Sequence, residues 1–222
     1  FPMQKADIAV PMTDIRYPGV RAGILNWPVS AVRLVGRSSQ QMQIVANNIL
    51  SAWRAYSDQS VGILAETDGT PHNTVTPILH YDETDGFILD LALRNNRTSE
   101  EFPDGIFHPH KEYHNIKKEN IGLIEVMGLA VLPSRLKKEL FELADALVAR
   151  TPVSQYPEEL QKHAEWAEDI LARHPELNGD TVHLILQDEV GHVFAQVLAD
   201  AGVYKMDEAG RAGFVRFLAS VQ

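Results

Sequence analysis

Apolar residues fall into two regimes along the chain. Up to Leu132 they come, outside one helical stretch, in short runs bounded by turn signals, as strands do, and beyond Pro133 they recur every three or four residues, as on one face of a helix. Val29 to Gly36 reads as a strand. Ser38-Ser39 can then cap a helix from Gln40 to about Tyr56, whose apolar positions Met42, Val45, Ile49, Trp53 and Tyr56 share one face. Val61 to Leu64, Thr74 to Tyr81, Gly86 to Leu93 and Gly122 to Leu132 are further strand candidates. Asp68-Gly69 and Asp85-Gly86 mark turns, so the runs 74 to 81 and 86 to 93 form a hairpin. After Pro133 the pattern predicts helices over about 134 to 150, 158 to 173, 180 to 201 and 207 to 219, with Pro152, Pro157, Pro175 and Asn178-Gly179 between them. Leu136, Leu140, Leu143, Ala144 and Leu147 make a core-facing stripe.

The expected architecture is α+β: an antiparallel sheet with a flanking helix in residues 1–132, followed by a helical C-terminal part, 133–222. With 45% apolar and 23% charged residues the composition is that of an ordinary globular protein, and no apolar run approaches the roughly 20 residues that span a bilayer. No membrane partner is expected. The lack of cysteine excludes thiol nucleophiles and cysteine-ligated zinc and suits a reducing cytoplasm. A net charge of −10 argues against a nucleic-acid surface, and an acidic chain that binds anions must gather its cations locally.

Such a gathering exists. Arg94-Asn95-Asn96-Arg97 follows the Gly86 to Leu93 run, and Phe107-His108-Pro109-His110 through Lys117-Lys118 comes shortly after. These are the donors that hold phosphate oxygens and sugar hydroxyls: guanidinium forks, ammonium groups, amides and imidazoles. A solvated loop between two strands would show a similar composition, but a polar segment delivered by one buried strand and received by another is positioned. His108 and His110 share one face if extended, and His72, His80 or His114 could in principle complete a metal set of three or four ligands. On the third predicted helix Glu189 and His192 share a face near His183; without a second carboxylate on a facing helix, a solvated face is the better reading.

Arg94 to Glu101, Gly105-Ile106-Phe107-His108-Pro109-His110 and Ile116 to Ala130 together resemble the C-terminal half of the class II galactose-1-phosphate uridylyltransferases, distant members of the histidine triad superfamily. Pro71 to Pro77, Gln187 to Gly191 and Asp200 to Val203 extend the likeness over almost the whole chain. The resemblance implies a histidine-triad-like sheet and transfer of UMP between UDP-glucose and galactose 1-phosphate through a covalent intermediate on histidine, with no cofactor. It places the nucleophile in a His-x-His-x-Gln segment ahead of a Phe-Pro-Met stretch. Since the chain opens at Phe1-Pro2-Met3, that histidine is expected upstream of Phe1, and no residue of this chain is expected to be the nucleophile. His108-Pro109-His110 is not that segment, because position 112 is Glu112.

On this reading Arg94, Arg97, Lys117 and Lys118 take phosphate oxygens, and Asn95, Asn96, His108 and His110 take sugar hydroxyls or orient the catalytic segment. Glu125 takes a hexose hydroxyl or stands as an outward strand residue. In class I relatives a corresponding His-x-His pair is associated with a structural metal, yet no third ligand can be assigned, so no metal is expected. The implied partners are UDP-glucose or UDP-galactose, hexose 1-phosphates, the N-terminal half of the same enzyme and a possible second copy. Two other classes fit the residues: a nucleotide-sugar-binding module without chemistry, and a metal-assisted phosphohydrolase.

Overall fold

The computed structural model describes residues 8–11, 19–127 and 129–221; Phe1-Pro2-Met3 and Gly128, quoted above, lie outside them. The chain divides into two compact units. The first comprises Phe1–His108, Asn120–Leu129 and Leu198–Gln222, the second Pro109–Glu119 and Ala130–Val197.

In the first unit, strands β1 (Ile8–Pro11), β2 (Val20–Leu25) and β3 (Ala31–Gly36) are followed by helix α1 (Ser39–Ala55). The Ser38 hydroxyl accepts the Gln41 N–H and caps that helix, as its position before the apolar stripe predicts. A small hairpin, β4 (Glu66–Thr67) and β5 (Thr70–Pro71), leads into the long hairpin β6 (Asn73–Asp82) and β7 (Gly86–Asn95). Asp68 and Gly69 both have positive φ, which fits the right-handed twist of the two-residue turn between β4 and β5. The main sheet is antiparallel with order β1-β2-β3-β7-β6, so β6, which contains Pro77, lies at an edge where a missing N–H costs least.

One face of this sheet packs on α1. Val20, Ala22 and Ile24 of β2, Val32 and Leu34 of β3, and Leu91 and Leu93 of β7 alternate into a core with Met42, Val45, Ile49 and Trp53. Phe214 and Phe217 of α7 (Glu208–Ser220) join it, with the Phe217 ring edge-on to Trp53 at 5.1 Å between centroids. Trp53 is fully buried and its indole N–H donates to the Thr74 carbonyl at 2.9 Å, tying α1 to β6.

The α+β class, the antiparallel sheet, its flanking helix and the later helices are as expected. Other elements depart from the expectation. β2 is not among the predicted strands, although Val20, Ala22 and Ile24 alternate with Arg21 and Gly23 as strand residues do. Val61 to Leu64 is not a strand: the Asp58 carboxylate accepts the Ser60 N–H, a 3-10 turn forms over Gln59–Val61, and Gly62 at φ 73° ends it. Gly122 to Leu132 is not a strand either. Its start is a single helical turn, α2 (Leu123–Val126), in which the Glu125 carboxylate accepts the Gly122 N–H at 2.7 Å. Val126 is buried, and its carbonyl receives the Trp27 indole N–H, whereas Leu123, Ile124, Met127 and Leu129 are exposed. An apolar run can be buried at a single residue, and periodicity alone does not tell that case from a core strand.

In the second unit, α3 (Ser134–Val148), α4 (Glu158–Gln161), α5 (Ala164–Arg173) and α6 (Val182–Ala201), the last of which continues into the first unit, surround a core of Leu143, Leu147, Leu160, Ile170 and Leu186. The predicted helix 158 to 173 is interrupted at Lys162 and His163. The break places the His163 ring fully inside, where it meets Glu139 and Asn115.

Candidate functional site

Strand alternation sends Arg94 and Asn95 at the end of β7 to opposite faces, and Asn96 and Arg97 follow just beyond the strand. Arg94 points to the sheet face opposite α1, where its Nη1 donates to the Ile121 carbonyl at 3.0 Å. Burial pushes its guanidinium below the ordinary value, and the charge of nearby Glu125 works against that. Glu125 is buried, with one oxygen held by the Gly122 N–H, so its carboxylate is part of the wall beside Arg94 and not an outward strand residue.

Asn95 points the other way and is buried. Its amide donates to the Leu64 carbonyl at 2.9 Å and to Asn73 Oδ1 at 2.7 Å, and its own oxygen accepts the Arg97 N–H at 3.0 Å. Asn73 in turn donates to the carbonyls of Trp53 and Tyr56 at the end of α1. The two asparagines thus fasten the end of β7 to α1 and shape the backbone from which the next residues project. Asn96 is exposed, with Oδ1 3.0 Å from His72 Nδ1. Arg97 is half-buried: Nη2 donates to the Gly62 carbonyl at 2.5 Å, while Nε is enclosed without a hydrogen-bond partner.

The face of Arg94 also holds a bidentate ion pair, Arg33 with Asp90, and a hollow lined by Leu25, Trp27, Ala31, Ile78, Asp90, Ala92 and Val126. Small alanines at 31 and 92 leave the room. Neither the pair nor the hollow could be read from the strand pattern, since Arg33 and Asp90 occupy what look like outward positions on two separate strands.

His108 is half-buried in the first unit; His110, Lys117 and Lys118 belong to the second. There Lys117 is buried, with Nζ 3.4 Å from the Val131 carbonyl and 3.6 Å from a Glu119 carboxylate oxygen, and Lys118 is exposed. The segment that carries them is anchored by residues that no motif in the sequence singles out. Asn115 Nδ2 lies 3.3 Å from His163 Nδ1, and His163 Nε2 lies 3.1 Å from Glu139, whose carboxylate also receives Arg135 and Lys162. With Nδ1 accepting from the amide, Nε2 carries the proton toward Glu139, so His163 is a neutral donor. Burial depresses its proton affinity, opposed by Glu139.

Glu189 departs from the solvated face expected of it. It is buried and takes both a two-point contact from Arg173 and a hydrogen bond with His174 at 3.1 Å, while His192 stays exposed. Among the described residues no three histidine, aspartate or glutamate side chains converge on a metal position. No helix among them is long and apolar enough to cross a membrane.

Residues 3–168 match the family model described as galactose-1-phosphate uridyl transferase, C-terminal domain. The chain belongs to this family. Galactose-1-phosphate uridylyltransferases of Halalkalibacterium halodurans and Streptococcus pneumoniae (strain Hungary19A-6) are 51% and 50% identical to it over 224 residues, and that of Ligilactobacillus salivarius 48% over 223. Each alignment takes in 100% of this chain but only 44%, 44% and 43% of the relative, so the chain spans less than half the length of the curated relatives it matches. No solved structure matches the chain.

Proposed function

We propose that this domain supplies the substrate-holding part of a uridylyltransferase that exchanges UMP between UDP-glucose and galactose 1-phosphate. The observation that carries the proposal is family membership over residues 3–168, joined to near 50% identity with three proteins named for that activity. Uridylyl exchange by double displacement needs a reactive imidazole, and otherwise mostly positioning and charge neutralisation at the phosphates. The nucleophile is assigned to the N-terminal half of the enzyme, and this domain to the positioning.

Arg94 and Arg97 are assigned to phosphate oxygens, with Lys117 and Lys118 as further cations. Asn96, exposed and oriented, is assigned to a sugar hydroxyl, as are His108 and His110; Asn95 acts by shaping the turn that presents Asn96 and Arg97. Glu125 contributes a negative charge beside Arg94. A homodimer and a cytoplasmic setting belong to the same proposal. Arg94, a half-buried cation whose Nη1 donates to a neutral carbonyl, favours an anionic ligand over a neutral sugar alone.

The test is a chimera in which this chain replaces the matching 224 residues of the Halalkalibacterium halodurans relative. It should convert UDP-glucose and galactose 1-phosphate to UDP-galactose and glucose 1-phosphate. A folded chimera that shows no exchange while the parent relative does would refute the proposal.

A further inference from the structure

We propose that His72 is a positioning residue for Asn96, resting on the reading that Asn96 meets the substrate. His72 lies just before β6 and is only 8% exposed. Its Nδ1 is 3.0 Å from Asn96 Oδ1 and its Nε2 is 2.9 Å from the Thr67 hydroxyl. An amide oxygen carries no proton, so Nδ1 is the donor, which leaves Nε2 to accept from Thr67. The ring is thereby held in one tautomer by two partners on different segments. The backbones agree with this: His72 N–H donates to Ala65 O at 2.7 Å, and Asn96 N–H donates to His72 O at 3.1 Å, one step beyond the Asn73 to Asn95 pairing.

With Oδ1 engaged inward, the Asn96 amide N–H groups are what the side chain presents outward. Asn96 is exposed, so nothing in its own packing fixes which end of the amide faces solution. Without the imidazole donor, a half-turn about the last side-chain torsion would offer an acceptor where a substrate oxygen needs a donor. Thr67 gives His72 a link to the β4 and β5 hairpin, whose turn residues Asp68 and Gly69 are exposed beside it. The group that His72 selects for is therefore an oxygen acceptor on the ligand, a sugar hydroxyl or phosphate oxygen, rather than a donor such as an ammonium.

Two variants divide the roles of the ring nitrogens. His72→Asn places an amide N–H close to where Nδ1 stood and keeps the donor to Asn96; His72→Gln places it near Nε2 and loses that donor. In the chimera, His72→Gln should lower kcat/KM about tenfold, which corresponds to about 1.4 kcal/mol, within the range for a lost buried hydrogen bond. His72→Asn should recover most of that loss. The double variant His72→Gln with Asn96→Ala should be no slower than Asn96→Ala alone, because the two act through one contact. Losses that multiply, or a His72→Gln enzyme with normal turnover beside an impaired Asn96→Ala, would overturn the positioning role and leave the proposed function standing. Normal turnover in Asn96→Ala would remove the substrate contact itself. Nitrogen-15 spectra of this chain supply a readout independent of activity: His72 should be protonated on Nδ1, and a ring protonated on Nε2 alone overturns the assignment.

Discussion

Arg33 and Asp90 stand directly opposite each other on β3 and β7 and close a two-point ion pair, Nε to Oδ1 at 2.7 Å and Nη2 to Oδ2 at 2.6 Å. Both are buried, at 9% and 2% exposure, on the sheet face that also carries Arg94. The carboxylate raises the proton affinity of Arg33, against the cost of its burial. Removing one partner leaves the other charged and enclosed, which is worse than removing both. Asp90→Ala should therefore destabilise the chain by about 3 to 5 kcal/mol, and Arg33→Met with Asp90→Leu should recover much of that loss. Urea melts of the three proteins check this; equal stability of Asp90→Ala and wild type would mean that the pair holds nothing together.

His163 gives a pH dependence of known sign. Its folded proton affinity lies below that of the free side chain, mainly through burial, while the unfolded chain titrates near the ordinary 6.5. Above that pH both states are neutral and the group is silent. As pH falls below it, the unfolded chain gains a proton that the folded one refuses, and stability is lost. His163→Gln, which keeps a donor toward Glu139 without a titrating ring, should show a flatter decline between about pH 6.5 and 5 than wild type. Parallel curves for the two proteins in denaturant titrations would assign the decline to other groups.

Much of this fold is legible in the sequence, and the illegible parts share a cause. The stripe Met42, Val45, Ile49, Trp53 and the cap at Ser38 announce α1 because helix burial repeats and capping is local. The long hairpin is legible for the same reason. The run after Ile121 misleads because most of its described apolar residues are exposed, only Val126 being fully buried and Leu132 partly so, and the face of a sheet that buries Arg33 and Asp90 looks polar until the register joins them. At the site, residue types point to the cluster after β7, but which asparagine is buried depends on Asn73, and the orientation of Asn96 depends on His72. Such partners lie 20 or more residues away, and no local pattern encodes them.

Arg97 tests the phosphate assignment. One guanidinium nitrogen is spent on Gly62, and a lysine would keep the charge while giving up the planar fork. Arg97→Lys in the chimera should lower the exchange rate by about one to two orders of magnitude, roughly 1 to 3 kcal/mol of transition-state binding. Its melting temperature should move little, since a single half-buried contact is lost. Full turnover would make Arg97 a brace for the 59–62 turn and nothing more.

The pair His108 and His110 separates substrate contact from metal binding. If the imidazoles meet substrate, alanine at either position lowers turnover in the chimera while the melting temperature holds, and a chelator changes neither. If they ligate a structural ion, its binding free energy is coupled to folding, and alanine at either position lowers stability and metal content together. A stable zinc or iron site draws three or four protein ligands, and the chain has no cysteine to supply them. His114, the next histidine in the sequence, already has Nε2 2.9 Å from the Pro109 carbonyl, and His72 has both nitrogens engaged. The first outcome is therefore expected, with well under about one transition metal per chain by elemental analysis, three ligands being the least a stable site requires. Stoichiometric zinc or iron that disappears in both alanine variants would reverse the assignment and make the two histidines ligands of a structural ion.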